Sequence, residues 1–151
     1  MTIAYRPALP EDRMFLVSNW SSSFKKSHHA GLIWTEDWAD VMHKQINKAL
    51  DRPCVRSVIA FENTDPRFLY GFIVGDTTEA TPIVYYVYVK EGFRKAGYAR
   101  GLFAALGVVP EKAFTYVCKT SVVSRLVDKI PFGRHNPLEG RYPKEQRRRD
   151  P

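Results

Sequence analysis

Val87-Tyr88-Val89-Lys90-Glu91-Gly92-Phe93-Arg94-Lys95-Ala96-Gly97-Tyr98-Ala99-Arg100-Gly101-Leu102 joins two kinds of pattern. Its left end closes the apolar run Ile83 to Val89, whose β-branched and aromatic residues predict a buried strand. Its right end opens a helix over Leu102, Phe103, Ala104, Ala105 and Leu106 that stops at Gly107. Between them Arg94, Gly97 and Ala99 stand in the spacing Arg-x-x-Gly-x-Ala. Strand, small-residue loop and helix N-terminus, in that order, aim free backbone N–H groups and the positive end of the helix dipole out of the turn. Gly97 and Ala99 carry little side chain, so an anion can come close to the main chain. Arg94, Lys95 and Arg100 surround the turn with positive charge, and Glu91 is the only acid between Val87 and Gly101. Such a turn suits a diphosphate.

Working outward, Thr2 to Arg6 reads as a first strand ended by Pro7, and Pro10-Glu11-Asp12 starts a helix. Met14, Val17, Trp20 and Phe24 recur at three- and four-residue steps and predict its buried face. Thr35 is the expected N-cap of a second helix, with Trp38, Val41, Met42, Ile46, Ala49 and Leu50 along one side. Val55 to Phe61 and Leu69 to Gly75 predict two further strands, separated by the turn Asn63-Thr64-Asp65-Pro66. With Ile83 to Val89 these form an antiparallel meander. Ala113 to Cys118 predicts a strand parallel to Ile83–Val89 across a right-handed crossover, and Ser121 caps a short helix ending at Pro131.

The chain has 151 residues, a length that suits one domain able to bury about 70% of its unfolded surface. At 44% hydrophobic and 13% aromatic residues it can fill a core, and no apolar run approaches the roughly 18 residues that span a bilayer. No secretory signal pattern is visible, so a cytoplasmic protein is expected, with Cys54 and Cys118 as buried reduced thiols. The four histidines show no paired ligand spacing, and no metal is expected. Net charge is +7. Residues 133–151 hold six basic and three acidic residues, so +3 falls there and +4 remains for the body. The expected organisation is one domain over 1–138 and a basic, flexible tail over 139–151.

The strand end Val87-x-Val89 followed by Arg94-x-x-Gly97-x-Ala99 resembles the acyl-CoA signature of the GNAT superfamily of N-acetyltransferases. In detail the chain resembles the small GNAT-like proteins of phage and prophage genomes, through Asn19-Trp20-Ser21-Ser22-Ser23-Phe24, Tyr86 to Lys90, Phe114-Thr115-Tyr116 and Asn136-Pro137-Leu138. The resemblance implies an α/β (α+β) fold: a mixed, mostly antiparallel sheet, one splayed parallel strand pair, and helices on both faces. It implies acetyl-CoA or CoA as co-substrate, lying in the opening between the parallel strands. Carried over by position, Val87, Tyr88 and Val89 would meet the thioester and pantetheine. Arg94, Lys95, Ala96, Gly97, Tyr98, Ala99 and Arg100 would hold the pyrophosphate. The acceptor would be an amine on a small molecule or a protein, and in a phage setting the place of action would be the host cytoplasm.

Direct acyl transfer to an amine requires a neutral nucleophile, a donor for the oxyanion and help for the departing thiolate, but no covalent enzyme intermediate. The chain departs from the family in its acid and base. Val127 stands where many relatives carry a tyrosine, and Ile83 where some carry a glutamate. The remaining candidates are Tyr85, expected on the same strand side as Val87, and His28, in the loop where this fold meets its acceptor. His29, Tyr116, Cys118, Trp20 and Ser21 to Ser23 are further possible cleft residues. Two other readings stay open: a non-catalytic module that binds CoA or a protein, and a nucleic-acid-associated or modifying protein acting through its basic tail. A homodimer could complete the sheet beyond the last helix.

Overall fold

Six strands stand side by side in the order β1-β2-β3-β4-β5-β6. They belong to a computed structural model that describes residues 3–25, 36–94, 97–109, 112–118 and 133–135. The strands are β1 (Ile3–Pro7), β2 (Arg56–Glu62), β3 (Asp65–Asp76), β4 (Ile83–Val89), β5 (Phe114–Tyr116) and β6 (Gly133–His135). β1 to β4 pair antiparallel, whereas β4–β5 and β5–β6 pair parallel. The sheet is therefore mixed and mostly antiparallel, as expected, with one parallel pair more than the sequence suggests. Gly133-Arg134-His135 is too short and too polar to give a strand signal. β4 is the opposite case: Ile-Val-Tyr-Tyr-Val-Tyr-Val is buried at all but one position, as a central strand covered on both faces must be.

The β2–β3 hairpin is tighter than expected. β3 already pairs at Asp65, opposite Glu62, so only Asn63 and Thr64 form the turn and Pro66 lies within the strand. Two register shifts between Ala60 and Glu62 absorb the missing N–H of Pro66, and the strand is exposed there.

Helices α1 (Arg13–Lys25) and α2 (Glu36–Leu50) cover one face, and α3 (Tyr98–Leu106) covers the other. Leu16, Val17, Trp20 and Ile46 pack on Ile59, Phe72, Val74, Tyr85 and Tyr86. On the far side Leu102, Phe103 and Leu106 pack on Val58, Ile73, Val84, Val87 and Val89. Met14 and Val41 do not join the core: they are 79% and 53% exposed. Leu16 with Trp20 sets the direction of α1, and at 100° per residue Met14 falls roughly 160° from Leu16. Val41 falls roughly 140° from Ile46 by the same count. Thr35 and the segment from Ser121 to Pro131 lie outside the described residues, as do the side chains of Phe24 and Trp38.

Candidate active site

β4 and β5 part company early. They pair only at Ile83↔Thr115 and Val84↔Tyr116, with Val117 N–H donating to the Val84 carbonyl at 2.9 Å. β4 runs on for five residues, to Val89, beyond the last of these pairs. Its register against β3 also slips once: Val74 faces Tyr86 but Gly75 faces Val84, so Tyr85 is an extra residue, a β-bulge. Lys90 N–H donates to the Tyr70 carbonyl at 2.7 Å, so by alternation the main-chain groups of Val87 and Val89 point away from β3, toward the side that β5 has left. Arg94 reaches back from the following turn, and its Nε donates to the Val89 carbonyl at 2.9 Å.

The turn that follows ends at the N-terminus of α3. Gly97 caps α3 with φ 79° and ψ 11°, a left-handed conformation that glycine adopts without penalty, and no side chain caps the helix. The first intrahelical bond runs from Gly101 N–H to the Gly97 carbonyl at 3.2 Å. The N–H groups of Tyr98 and Ala99, one turn further out, have no acceptor within the helix. A Cβ added at Gly97 would meet nothing within 4 Å among the described residues. Phe93 and Tyr98 bracket the turn and both rest on Tyr70, each at 4.9 Å between ring centroids. Lys95 and Ala96 lie outside the described residues.

No family model matches the chain, and no curated protein matches it at a meaningful level. Solved structures do match. A predicted acetyltransferase with acetyl-CoA from Clostridium acetobutylicum superposes with a TM-score of 0.57 at 14% identity, over 85% of this chain and 88% of that one. Aminoglycoside 6'-N-acetyltransferase AAC(6')-Ih from Acinetobacter baumannii gives 0.53 at 12% identity, over 87% and 90%. AAC(6')-Iy, in complex with the bisubstrate analog CoA-S-monomethyl-acetylneamine, gives 0.51 at 15% identity, over 87% and 91%. The fold is that of the GNAT acetyltransferases. A putative acetyltransferase from Desulfovibrio desulfuricans matches over 70% of this chain at 23% identity with a TM-score of 0.46, and this chain spans 64% of its length.

On the α1 side of the sheet the candidate residues fall differently from expectation. Tyr85 does not share a side with Val87, because the bulge turns it onto the face covered by α1 and α2. Its ring is buried and its hydroxyl accepts from Arg52 Nη1 at 3.4 Å, after the end of α2. Tyr86 lies on the same face as Tyr85. It stacks on Trp20 at 5.1 Å and donates to the Asn19 carbonyl at 3.3 Å. Burial pushes the Tyr86 hydroxyl up to about 12, partly opposed by a hydrogen bond with Ser23. Tyr88 is half-buried on the same side, its hydroxyl raised by burial against the opposing pull of Arg94.

Tyr116 and Cys118 do not line one wall: Tyr116 packs under α3, while Cys118 joins the α1 side beside Trp20. Burial pushes the Cys118 thiol up to about 12, so it is neither thiolate nor nucleophile near neutral pH. Ser21 and Ser23 bond back to the Ser18 and Trp20 carbonyls of their own helix. His28 and His29 lie outside the described residues. No helix among the described residues is long and apolar enough to cross a membrane. The bulge is the feature that sequence reading misses; seven consecutive apolar residues carry no mark of where one of them is unpaired.

Proposed function

We propose that this protein is an acyl-CoA-dependent acyltransferase that moves acetyl from acetyl-CoA to an amine by direct attack in a ternary complex. One observation carries the reading: the freed edge of β4 at Val87 and Val89 leads, within eight residues, into an uncapped helix N-terminus at Gly97. Those two features fit the two halves of CoA. The pantetheine arm, itself a chain of amides, adds to the β4 edge as an extra strand would. The diphosphate sits over Gly97, held by the N–H groups of Tyr98 and Ala99, with the positive charge of Arg100 beside them. Arg94 contributes its remaining guanidinium donors, with Nε anchored on Val89.

The attacking amine adds to the thioester carbonyl, forming the new C–N bond and an oxyanion, and the C–S bond then breaks with the electron pair leaving on sulfur. A main-chain N–H at Val87 is placed to stabilise the oxyanion between, a contribution of about 2.7–4 kcal/mol where such donors are removed in other enzymes. A lysine-like amine with pKa near 10.4 must first lose a proton. We assign that step to His28, since Tyr85 is occupied with Arg52. Two neighbours that carry the fold are complexes, one with acetyl-CoA and one with the bisubstrate analog CoA-S-monomethyl-acetylneamine, which supports this reading.

Calorimetry with acetyl-CoA and CoA tests it. Saturable binding, abolished by Arg94→Glu, supports it; no heat and no thermal shift at millimolar ligand removes it. Thiol release over a panel of amines then separates the enzyme from a module that binds CoA without turnover.

A further inference from the structure

Both glycines in the loop between β4 and α3 are followed at once by an aromatic residue. Gly92 has φ 94° and precedes Phe93, and Gly97 has φ 79° and precedes Tyr98. Glycine enters this left-handed region without a steric penalty but gives up more freedom than any other residue, so the loop's own backbone does little to fix its direction. The two rings supply that constraint. Phe93 and Tyr98 both rest on the Tyr70 ring, at 4.9 Å each and with interplanar angles of 70° and 52°. Arg94 follows Phe93 directly, and Tyr98 also carries one of the two N–H groups assigned to the diphosphate. Whatever holds Tyr70 therefore holds both ends of the loop.

Tyr70 is fixed from two directions. Its carbonyl accepts from the Lys90 N–H at 2.7 Å, and its hydroxyl donates to Glu62 Oε2 at 2.5 Å, a separation expected of a hydroxyl on an ionised acid. Glu62 is the last residue of β2 and is only 7% exposed. Its other oxygen, Oε1, accepts from the Thr64 hydroxyl at 3.1 Å. A carboxylate is a costly choice for a buried strand end, where an apolar side chain would fill the same space without losing hydration. What the acid adds is direction: it ties down the far end of a ring that packing alone would leave free to tilt. We propose that Glu62, acting through Tyr70, is a positioning residue for the loop that receives the diphosphate. It sets the Tyr70 ring as the platform on which Phe93 and Tyr98 place Arg94 and the first N–H groups of α3. The assignment rests on the acyl-CoA reading for its purpose, and it asks neither Glu62 nor Tyr70 to touch the ligand.

Amide hydrogen exchange on the unliganded full chain, with CoA calorimetry in parallel, tests the assignment at a temperature where every variant is folded. Glu62→Leu fills the space and removes the acceptor, Tyr70→Phe keeps the ring and removes the donor, and Glu62→Gln keeps an acceptor oxygen. In the first two, exchange over residues 92–101 should quicken about tenfold and CoA affinity should fall about tenfold, as a loop loses its preset bound form. Peptides over residues 72–88 should keep wild-type rates, which a merely structural role would not allow. Glu62→Gln should stay within about twofold of wild type in both measurements, since the Tyr70 hydroxyl still has its partner. Wild-type exchange over 92–101 in Glu62→Leu and Tyr70→Phe, a rise shared equally by residues 72–88, or wild-type CoA affinity in Glu62→Leu overturns the positioning role and leaves the acyl-CoA reading standing. If wild type binds no CoA while the loop still loosens in both variants, the acyl-CoA reading falls and the bracing of the loop by Glu62 stands.

Discussion

Gly97 and Gly107 cap the two ends of α3 in the same backbone state, and that equality isolates the role proposed for Gly97 in holding a diphosphate. Their φ angles are 79° and 98°, and an added Cβ meets nothing within 4 Å at either position. Replacing either by alanine therefore introduces no clash and only the left-handed backbone penalty, about 1–2 kcal/mol for an L-residue. In a domain of this size each kcal/mol lowers Tm by about 2–4 °C, so both variants should melt about 2–8 °C below wild type, and by the same amount. Binding should separate them. The Cβ at Gly97 would project into the space assigned to the diphosphate and hold it off the N–H groups. Gly107 sits at the far end of the helix, where its own N–H bonds back to Phe103 and Ala104. Gly97→Ala should lose at least tenfold in CoA affinity by calorimetry at a temperature where both variants are folded, and Gly107→Ala less than twofold. Equal affinity in the two variants would refute the placement of the diphosphate, whatever the melting curves show.

Three further outcomes follow from other parts of the molecule. Burial alone would raise Asp12, but the Arg6 guanidinium at 2.6 Å and the Leu9 N–H at 2.7 Å outweigh it and hold the carboxyl below its usual range. That stabilisation is present above the unfolded carboxyl pKa of about 3.9 and is lost as pH falls through the lower folded value, so Asp12→Asn should unfold earlier than wild type in urea at pH 6 and match it near pH 2. The Glu62 carboxylate, accepting from the Tyr70 hydroxyl at 2.5 Å, together with burial pushes Tyr70 up to about 12. Its contribution is intact below the unfolded value near 10 and drains away between pH 10 and 12, so Tyr70→Phe should melt below wild type at pH 8 and converge with it by pH 12. A Cβ at Gly71 would run into the Tyr88 carbonyl and the Val89 backbone, which cannot turn aside as a side chain does. Gly71→Ala should lower the urea midpoint by an amount worth about 3 kcal/mol and, by displacing Val89, weaken CoA binding as well.

Much of the fold was legible in the chain because its strongest patterns are local. The apolar run Ile83–Val89 became β4 with both ends where composition places them, and α3 runs between the two glycines that bracket it. What was not legible depends on partners far away in sequence. Met14 is apolar and correctly spaced from Val17, yet the direction of α1 is set by Leu16 and Trp20 meeting Phe72 and Tyr86. Pro66 looks like a turn residue, and only the register shifts in β2 make room for it in a strand. β6 exists by pairing with Phe114–Tyr116, since nothing in Gly133-Arg134-His135 asks for a strand.

The candidate site divides along the same line, and the bulge explains why. Arg94 to Arg100 is a local motif, and a motif is read from a sequence without knowing the sheet. The side chains that accompany it depend on which way each β4 residue points, and strict alternation puts Tyr85 with Val87. One unpaired residue at position 85 reverses that assignment and places Tyr85 and Tyr86 side by side under α1. The same insertion sits where β5 leaves, between Val84, the last residue paired to β5, and Val87, the first of the two whose main chain faces the opening. A strand without it would keep its residues in regular alternation between the two neighbouring strands. The residue that sequence reading offers as a catalytic tyrosine is thus better understood as the one whose backbone ends the pairing. Its side chain, held by Arg52, anchors the point from which the strands diverge.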